Sequence, residues 1–215
     1  DLEKYPRTIE HDKALLTAAN CDILFLPEVN VMYPENDLHW EIDLGNLDQI
    51  WEGEHRPGHF QGVTQIVYKL FQLVNPDIAF FGQKDFQQVM VIQRMIVEKA
   101  LTVKLHIVPT LRDAHGLALS SRNARLSPTG IEKAYTISKA LRHIQHYSQE
   151  KDADMLIAEA TALLHDVDGL ELEYLAICET TTLEISTNID PNKDYVVLVA
   201  AWLEGVRLID NMLLQ

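Results

Sequence analysis

The sequence predicts an α/β protein with a parallel sheet, followed by a smaller α+β region. Short apolar runs alternate with segments of helical periodicity up to about residue 110, and this alternation implies βαβ crossovers. Beyond residue 125, two long helical patterns are followed by three strand patterns. We therefore expect a first domain of residues 1–112 and a second, lid-like domain of residues 113–215, with the boundary near 110–125.

The elements of the first region follow from apolar periodicity and from start and stop signals. Thr8 is a candidate N-cap for a helix over 9–19. The run 22–26 is almost continuously apolar and stops at Pro27, which is typical of a strand buried on both faces. The remaining predicted elements are helices at 61–74 and after Asp85, and strands at 38–44, 78–81 and 102–109.

The second region begins with a helix over 127–149, for which Ser127 is the N-cap and Pro128 the first helical residue. Glu204 and Gly205 separate two apolar runs by two residues, which indicates a tight hairpin turn. The other predicted elements are a helix at 153–167 and strands at 170–177, 194–204 and 206–214.

Composition narrows the function classes. Apolar residues make up 47% and charged residues 23% of the 215, which is typical of a globular protein with a core. The formal net charge of −14 disfavours a nucleic-acid partner, because phosphate backbones require clustered cations. No apolar run is long enough to span a membrane. Cys21 and Cys178 are expected to be buried, reduced thiols, although a disulfide stays open.

A candidate phosphate site follows the predicted strand 78–81. Gly82 permits a sharp turn and close backbone approach, and the next helix offers free N–H groups at its start. Lys84 adds a full charge, and Asp85 suits a helix cap or a ribose hydroxyl. A plain turn with a solvated lysine explains this segment equally well, since such turns are common.

A second candidate segment is "GLALSSRN" at 116–123. Ser120 and Ser121 supply hydroxyl donors, Arg122 a planar cation and Asn123 a polar amide, a mixture that suits anionic oxygens. Taken by itself, this segment is more simply a polar linker. Ligands of open α/β sheets bind beyond the carboxyl ends of the strands, where both segments are predicted to lie.

Together these stretches resemble the pantothenate synthetase (pantoate–β-alanine ligase, AMP-forming) family. The matching motifs, in chain order, are "YPRT" (5–8), "EGEHRPGHFQGV" (52–63), "GQKDFQQ" (82–88), "VPT" (108–110), "GLALSSRN" (116–123) and "LVAAWLEGVRLIDN" (198–211). The resemblance covers essentially the whole chain, and the motifs are rare in combination.

The resemblance implies a Rossmann-like domain of the nucleotidyltransferase superfamily and a smaller C-terminal domain. The implied reaction joins pantoate to β-alanine through a pantoyl adenylate, and it consumes ATP with Mg²⁺ and releases AMP and pyrophosphate. The implied protein is a cytoplasmic homodimer with small-molecule substrates and neither a nucleic-acid nor a membrane partner.

The resemblance also transfers site residues. The implied catalytic donors are Lys84, Ser120, Ser121 and Arg122. The implied ATP-binding residues are Gly82, Gln83, Lys84, Asp85, Leu111, Leu119, Ser120, Ser121 and Arg122, and the implied pantoate contacts are Gln88, His59 and Glu52. Asp12 matches an acidic position near the metal, although a solvated helix carboxylate explains it equally well.

Two features depart from the family pattern. Gln83 stands where the family usually has Glu, which removes one negative charge near the phosphates. The family's first βα unit, with a His-x-Gly-His motif, has no counterpart in this sequence. We therefore expect an N-terminally truncated chain that is inactive as a fragment.

Two other function classes stay open at this point. One is a different nucleotidyltransferase or an RNA-charging synthetase, which retained RNA binding would favour and the acidic balance opposes. The other is a non-catalytic interaction module, such as a fragment that only folds or dimerises. Titration with ATP bears on this alternative: we expect weak or no binding of ATP to this chain, and tight binding would contradict the truncation.

Overall fold

The computed structural model describes residues 8–35, 37 and 39–214. The chain divides into two compact units, residues 1–40 and residues 41–215, and each is described by itself. In the first unit, helix α1 spans Ile9–Ala18 and helix α2 spans Val29–Met32. The predicted helix after Thr8 is confirmed, and the Thr8 hydroxyl donates to Asp12 Oδ1 at 3.2 Å. The predicted motif residues 5–7 lie outside the described residues.

The strand predicted at 22–26 is not formed. Residues 21–28 have no strand structure, and the side chains of Ile23 to Leu26 are exposed. A strand is stable only where a neighbour completes its ladder of hydrogen bonds, and no described residue of this unit pairs with the run. The strand predicted at 38–44 is likewise absent over the described residues 39–44.

The second unit carries the remaining elements. Its helices are α3 (Glu52–His55), α4 (His59–Val74), α5 (Phe86–Glu98), α6 (Pro128–Tyr147) and α7 (Ala153–His165). Its strands are β1 (Ile78–Gly82), β2 (Lys104–Val108), β3 (Leu170–Glu179), β4 (Tyr195–Leu203) and β5 (Val206–Leu214). Short 3-10 turns lie at Gly45–Asp48, Gln83–Asp85 and Ser121–Arg125.

Strands β1 and β2 form the parallel pair that the alternation of the first region predicted. Ile78 pairs with Lys104 and Gly82 pairs with Val108, and helix α5 connects the two strands. A parallel pair joined by a helix is the βαβ unit. Its carboxyl end presents Gly82 and the residues after Val108 on the same edge.

Strands β3, β4 and β5 form a separate antiparallel sheet with β4 in the centre. Glu204 and Gly205 have φ angles of 51° and 70°, as the two central residues of a tight hairpin turn require. The predicted hairpin is therefore confirmed. Its position fixes the register of β5 against β4, which pairs Leu203 with Val206 and Tyr195 with Leu214.

The antiparallel sheet is covered on both faces. Helices α6 and α7 bury apolar residues against one face, and Ile137, Leu141 and Ile144 line α6 at helical spacing. On the other face, Met90 of α5 packs with Cys178 and other sheet residues. Helix α5, which connects the strands of the parallel pair, thus packs on the antiparallel sheet. The division into domains at residues 112 and 113 stays a prediction.

The two cysteines differ in environment. Cys178 is buried in β3 as expected, and burial raises the pKa of its thiol to about 12. Cys21 is exposed, so the expectation that it is buried is wrong, because the run that contains it forms no strand. Both thiols are free. Within the described part of the chain, no helix combines the length and the apolar character needed to cross a membrane.

The first testable prediction concerns the start of α6. Ser127 Oγ accepts a hydrogen bond from the Gly130 amide at 3.0 Å, so we expect Ser127→Ala to lower the free energy of unfolding by about 1 kcal/mol. Urea denaturation measures this change. Asp152 holds the same position before α7 without a side-chain cap bond, and Asp152→Ala is the matched control. Equal losses in the two variants would contradict the capping role of Ser127.

Candidate functional site

The carboxyl end of β1 leads directly into a 3-10 turn, Gln83–Asp85, and then into α5. Gly82 has an ordinary extended conformation with φ −76°, so the sharp turn expected there is absent. A Cβ atom on Gly82 would meet no protein atom within 4 Å. Neither the backbone conformation nor packing inside the protein therefore requires glycine at this position. Lys84 is largely buried, and its Nζ lies 3.8 Å from Asp85 Oδ1.

The segment after β2 doubles back on itself. Arg112 and Ala118 form an antiparallel bridge, and the Leu119 amide donates to the Leu111 carbonyl at 2.9 Å. Gly116, at φ +95°, allows the chain to reverse between them. The side chains of Leu111 and Leu119 are exposed beside this bend.

Ser120 is the N-cap of the 3-10 turn Ser121–Arg125, which carries the predicted donors Ser121 and Arg122. Its Oγ accepts a hydrogen bond from the Arg122 amide at 3.2 Å, so its O–H is still a donor. Asn123 Nδ2 donates to the Ala118 carbonyl at 3.0 Å and ties the turn to the bend before it. The segment "GLALSSRN" is therefore an ordered turn with internal hydrogen bonds.

The two predicted phosphate segments line one open cleft. Its polar lining residues are Lys84, Ser120, Arg122, Asn123, Arg207 and Asp210. Three of these six are cations. The structure therefore brings Lys84, Ser120 and Arg122 together across the sheet edge, and it adds Arg207 from β5, which the sequence analysis did not single out.

A third segment, residues 52–59, adds another cation to this region. Arg56 NH1 lies 2.9 Å from His59 Nε2. Burial and the neighbouring Arg56 charge lower the pKa of His59 to about 4, and the charges of Asp85 and Arg122 also act on it. The imidazole is therefore neutral at neutral pH. Burial also lowers the pKa of Arg56, and the charges of Arg122 and Arg207 lower it further.

The Glu52 carboxylate is buried and fully engaged. Arg207 donates to both of its oxygens at 2.7 Å, and the Tyr174 hydroxyl donates to Oε1 at 2.7 Å. Burial by itself would raise the pKa of Glu52, but these hydrogen bonds and the Arg207 charge outweigh it and lower the pKa. On its other side Arg207 pairs with Glu173, which also accepts from Trp202 Nε1 at 3.0 Å.

Neighbouring glutamines have different surroundings. Gln88 lies partly exposed on α5, one helical turn beyond Lys84. Gln87 is buried, donates to the Leu47 and Ile50 carbonyls at 2.7 and 2.9 Å, and accepts from the Glu52 amide. Gln83 Nε2 donates to Asn211 Oδ1 at 3.3 Å, a bond that a glutamate there could not donate.

Asp12 lies on α1 in the first unit, where it accepts the Thr8 hydroxyl. Its expected role near a metal stays a prediction. Among residues 8–35, 37 and 39–214, no group of three or more His, Cys, Asp or Glu side chains is arranged to hold a metal ion.

Sequence reasoning missed Arg56, Arg207, Asp210 and Asn211. The last three stand in β5, where polar side chains interrupt an otherwise apolar strand pattern. Asp210 and Asn211 are buried, and buried polar groups in a strand must be bonded to something specific. Polar residues within an apolar strand pattern therefore indicate buried hydrogen bonds, although the sequence does not show which residues are the partners.

Comparison with known proteins adds the family context. The family model of pantoate-beta-alanine ligase matches residues 1–213. A pantothenate synthetase of Cytophaga hutchinsonii is 43% identical over 218 residues, which cover 100% of this chain and 76% of the relative. A pantothenate synthetase of Koribacter versatilis is 42% identical, with 100% and 74% covered.

Solved structures agree with the sequence matches. Pantothenate synthetase from Thermus thermophilus has a TM-score of 0.92 at 39% identity, over 99% of this chain and 76% of that chain. Pantoate-beta-alanine ligase from Francisella tularensis, complexed with beta-gamma ATP and β-alanine, has a TM-score of 0.78 at 31% identity, over 99% and 72%. The predicted fold class and family are confirmed.

The second prediction concerns Glu52. We expect Glu52→Gln to lower the free energy of unfolding at pH 7 by roughly 1–3 kcal/mol, because Arg207 loses a buried charged partner. A carboxylate with a lowered pKa stabilises the fold above its unfolded pKa, and this contribution is lost as the pH falls through the folded value. The difference between variant and wild type should therefore shrink below the ordinary pKa of 4.5.

Denaturant titrations from pH 7 down to pH 3 measure this difference. Glu54→Gln removes an exposed carboxylate from the same helix and is the matched control. A loss of stability in Glu52→Gln that does not change with pH would contradict the charged state assigned to Glu52.

The third prediction concerns His59. NMR titration should find its imidazole neutral down to about pH 5, since its pKa lies at about 4. Arg56→Gln should raise that pKa, because the variant removes the cation beside the ring. Arg94→Gln removes a cation that pairs with Glu98, and it should leave His59 unchanged. An unchanged His59 titration in Arg56→Gln would contradict the coupling.

Proposed function

Since the chain belongs to the pantoate-beta-alanine ligase family, we propose that it takes part in the ATP-dependent condensation of pantoate with β-alanine. The reaction proceeds through a pantoyl adenylate and yields pantothenate, AMP and pyrophosphate. Its class is that of an AMP-forming acid–amino-acid ligase. Homodimer formation and a cytoplasmic location are carried by the resemblance to the family, and they stay predictions.

One observation carries this proposal: cations converge on a cleft in a strongly acidic chain. The net charge is −14, yet Lys84, Arg122 and Arg207 line one cleft and a hydroxyl donor stands among them. Screening in salt limits the effect of distant charges to about 10 Å, so the cations at the cleft act on an anion there more strongly than the net charge of the chain does. Such a cluster suits the phosphates of ATP and the carboxylate of pantoate.

Adenylation is the first step. The pantoate carboxylate oxygen attacks the α-phosphorus of ATP, and the bond to the β-phosphate oxygen breaks as pyrophosphate leaves. No protein nucleophile is required, so the protein acts by positioning and by stabilising charge on the phosphates. We assign this stabilisation to Lys84, Ser120, Ser121 and Arg122, with Mg²⁺ entering as the partner of ATP.

The nucleotide is proposed to lie along the two segments. The open space beside Gly82 admits a phosphate close to the backbone, and the other nucleotide contacts are assigned to Gln83, Asp85, Leu111 and Leu119. Leu111 and Leu119 expose apolar side chains beside the cleft segments, as a purine face requires. These assignments depend on the family resemblance together with the placement of the residues.

Acyl transfer is the second step. The neutral amine of β-alanine attacks the acyl carbon of the adenylate, the amine loses a proton, and AMP leaves. Gln88 and His59 are proposed as pantoate contacts, and the neutral His59 ring brings no net charge to the anion. The Glu52 carboxylate is occupied by Arg207 and Tyr174, so we assign it the task of holding Arg207 in place.

The proposed activity is tested on the protein expressed from its complete reading frame. Pyrophosphate release should require ATP and pantoate together, and AMP release should further increase with β-alanine. Release of pyrophosphate without pantoate, or none with it, would contradict the proposal.

The fourth prediction tests the role of Lys84 within that reaction. Lys84→Ala should lower kcat by roughly 10²–10³, as expected for the loss of one donor to a developing charge. Lys139→Ala removes an exposed lysine from α6 and should keep wild-type kcat. An effect of Lys84→Ala below tenfold would refute the assigned role.

A further inference from the structure

Two adjacent residues of β5 contact the two segments that line the cleft. Asn211 Nδ2 donates to the carbonyl oxygens of Gln83 and Lys84, at 3.0 and 2.7 Å. Its Oδ1 accepts from Gln83 Nε2 at 3.3 Å. The polar atoms of the Asn211 side chain are thus bonded to the turn that carries Lys84.

Asp210 holds the other segment through a cation. Arg112 donates to Asp210 Oδ2 at 2.5 Å and to Oδ1 at 2.9 Å, which is a bidentate pair. The same guanidinium donates to the carbonyls of Gly116 and Asn211, at 3.1 and 2.9 Å. It therefore ties the bend before Ser120 to three acceptors on β5 and to one carbonyl, that of Gly116, within the bend itself.

The burial of both side chains indicates that their role is to make these hydrogen bonds. Asn211 is 2% exposed and Asp210 is 5% exposed. Leaving a buried donor or acceptor unpaired costs about 1–3 kcal/mol, so these bonds strongly restrict where the two segments can lie. Asn211 does not line the cleft, and both carboxylate oxygens of Asp210, which does, already accept from Arg112.

We infer that Asp210 and Asn211 are positioning residues that hold Lys84 and the Ser120–Arg122 turn at a fixed spacing across the cleft. Asn211 acts through the backbone of Gln83 and Lys84, and Asp210 acts through Arg112. The distance between consecutive residues of a strand is nearly fixed, so bonds to Asp210 and Asn211 fix the position of one segment relative to the other. The inference rests on the proposed function, because it takes Lys84 and Arg122 to act on ATP.

Asn211→Asp is the primary variant for the Lys84 side of the cleft. It keeps the shape of the side chain and replaces the donor that faces two carbonyl oxygens with an acceptor. A displacement of about 1 Å at a catalytic group lowers rate by up to about 100-fold, so we expect single-turnover pyrophosphate release to fall about 10- to 100-fold. Asp210→Asn is the corresponding variant for the Arg112 side, with the same expected range.

Double-mutant cycles separate positioning from general destabilisation. Asn211→Asp should cost less than about threefold when Lys84 is already alanine, because the group it positions is gone. It should keep its full effect in an Arg122→Ala background. Asp210→Asn should show the reverse pattern: a full effect with Lys84→Ala and a smaller one with Arg122→Ala, where Ser120 and Ser121 are the donors that remain on the turn. The matched controls are the two combinations from opposite sides of the cleft: Asn211→Asp with Arg122→Ala, and Asp210→Asn with Lys84→Ala.

Equal rate losses in every background would overturn the inference, since a structural effect does not depend on which cation is present. Rates of the two single variants within threefold of wild type would also overturn it. If Asn211→Asp is unfolded at the assay temperature, Asn211→Ala at a lower temperature replaces it. That variant removes the donor without adding a charge.

Amide hydrogen exchange gives a second measurement that does not depend on activity. Asn211→Asp should speed exchange in peptides over 83–90 and leave those over 111–122 as in wild type. Asp210→Asn should do the opposite. Uniform changes in both regions would overturn the inference, even if the wild-type protein makes pyrophosphate. A wild type that makes none would contradict the proposed function, and the exchange pattern would still decide the positioning.

Discussion

The ion pair between Arg207 and two glutamates is the interaction on which the rest of the cleft depends. Arg207 stands between Glu52 of α3 and Glu173 of β3, and all three side chains are largely buried. A buried charge is costly unless it is paired and hydrogen-bonded, so each partner requires the others. The network fixes the segment 52–59, with Arg56 and His59, against the antiparallel sheet. It also keeps one guanidinium at the cleft while its charge is balanced.

A protein with a net negative charge can bind anions only where cationic side chains are clustered at the binding site. Here every cationic segment is attached to the same strand, β5, through Arg207, Asp210 or Asn211. The strand in turn is held by the hairpin at Glu204 and Gly205 and by the apolar layer under the sheet. Apolar packing therefore supplies the rigidity, and buried polar bonds transfer it to the residues that face the ligand. The loss of one of these buried partners should therefore displace residues at the cleft, although the partner itself touches no substrate.

Several expectations failed for one reason: a local sequence pattern does not show which other parts of the chain will surround that segment in the fold. The run 22–26 has the composition of a buried strand, but no described residue of its unit pairs with it. Cys21 is exposed for the same reason. Gly82 has the residue type of a sharp turn, yet its backbone is extended, and the space around it is open. The expected pantoate contact of Glu52 stays a prediction, and in this structure its oxygens accept from Arg207.

The sequence by itself determined the elements and the family. Helical periodicity located α4, α5, α6 and α7, alternation located the βαβ unit, and Glu204-Gly205 located the hairpin, because these signals depend on neighbours in the chain. It also named Lys84, Ser120 and Arg122, which lie on one cleft. Only the tertiary structure decided that Arg207, Asp210 and Asn211 hold the segments of that cleft. Their partners in those segments are about 100 or more residues away in the sequence, and no periodicity records a contact made between distant parts of the chain.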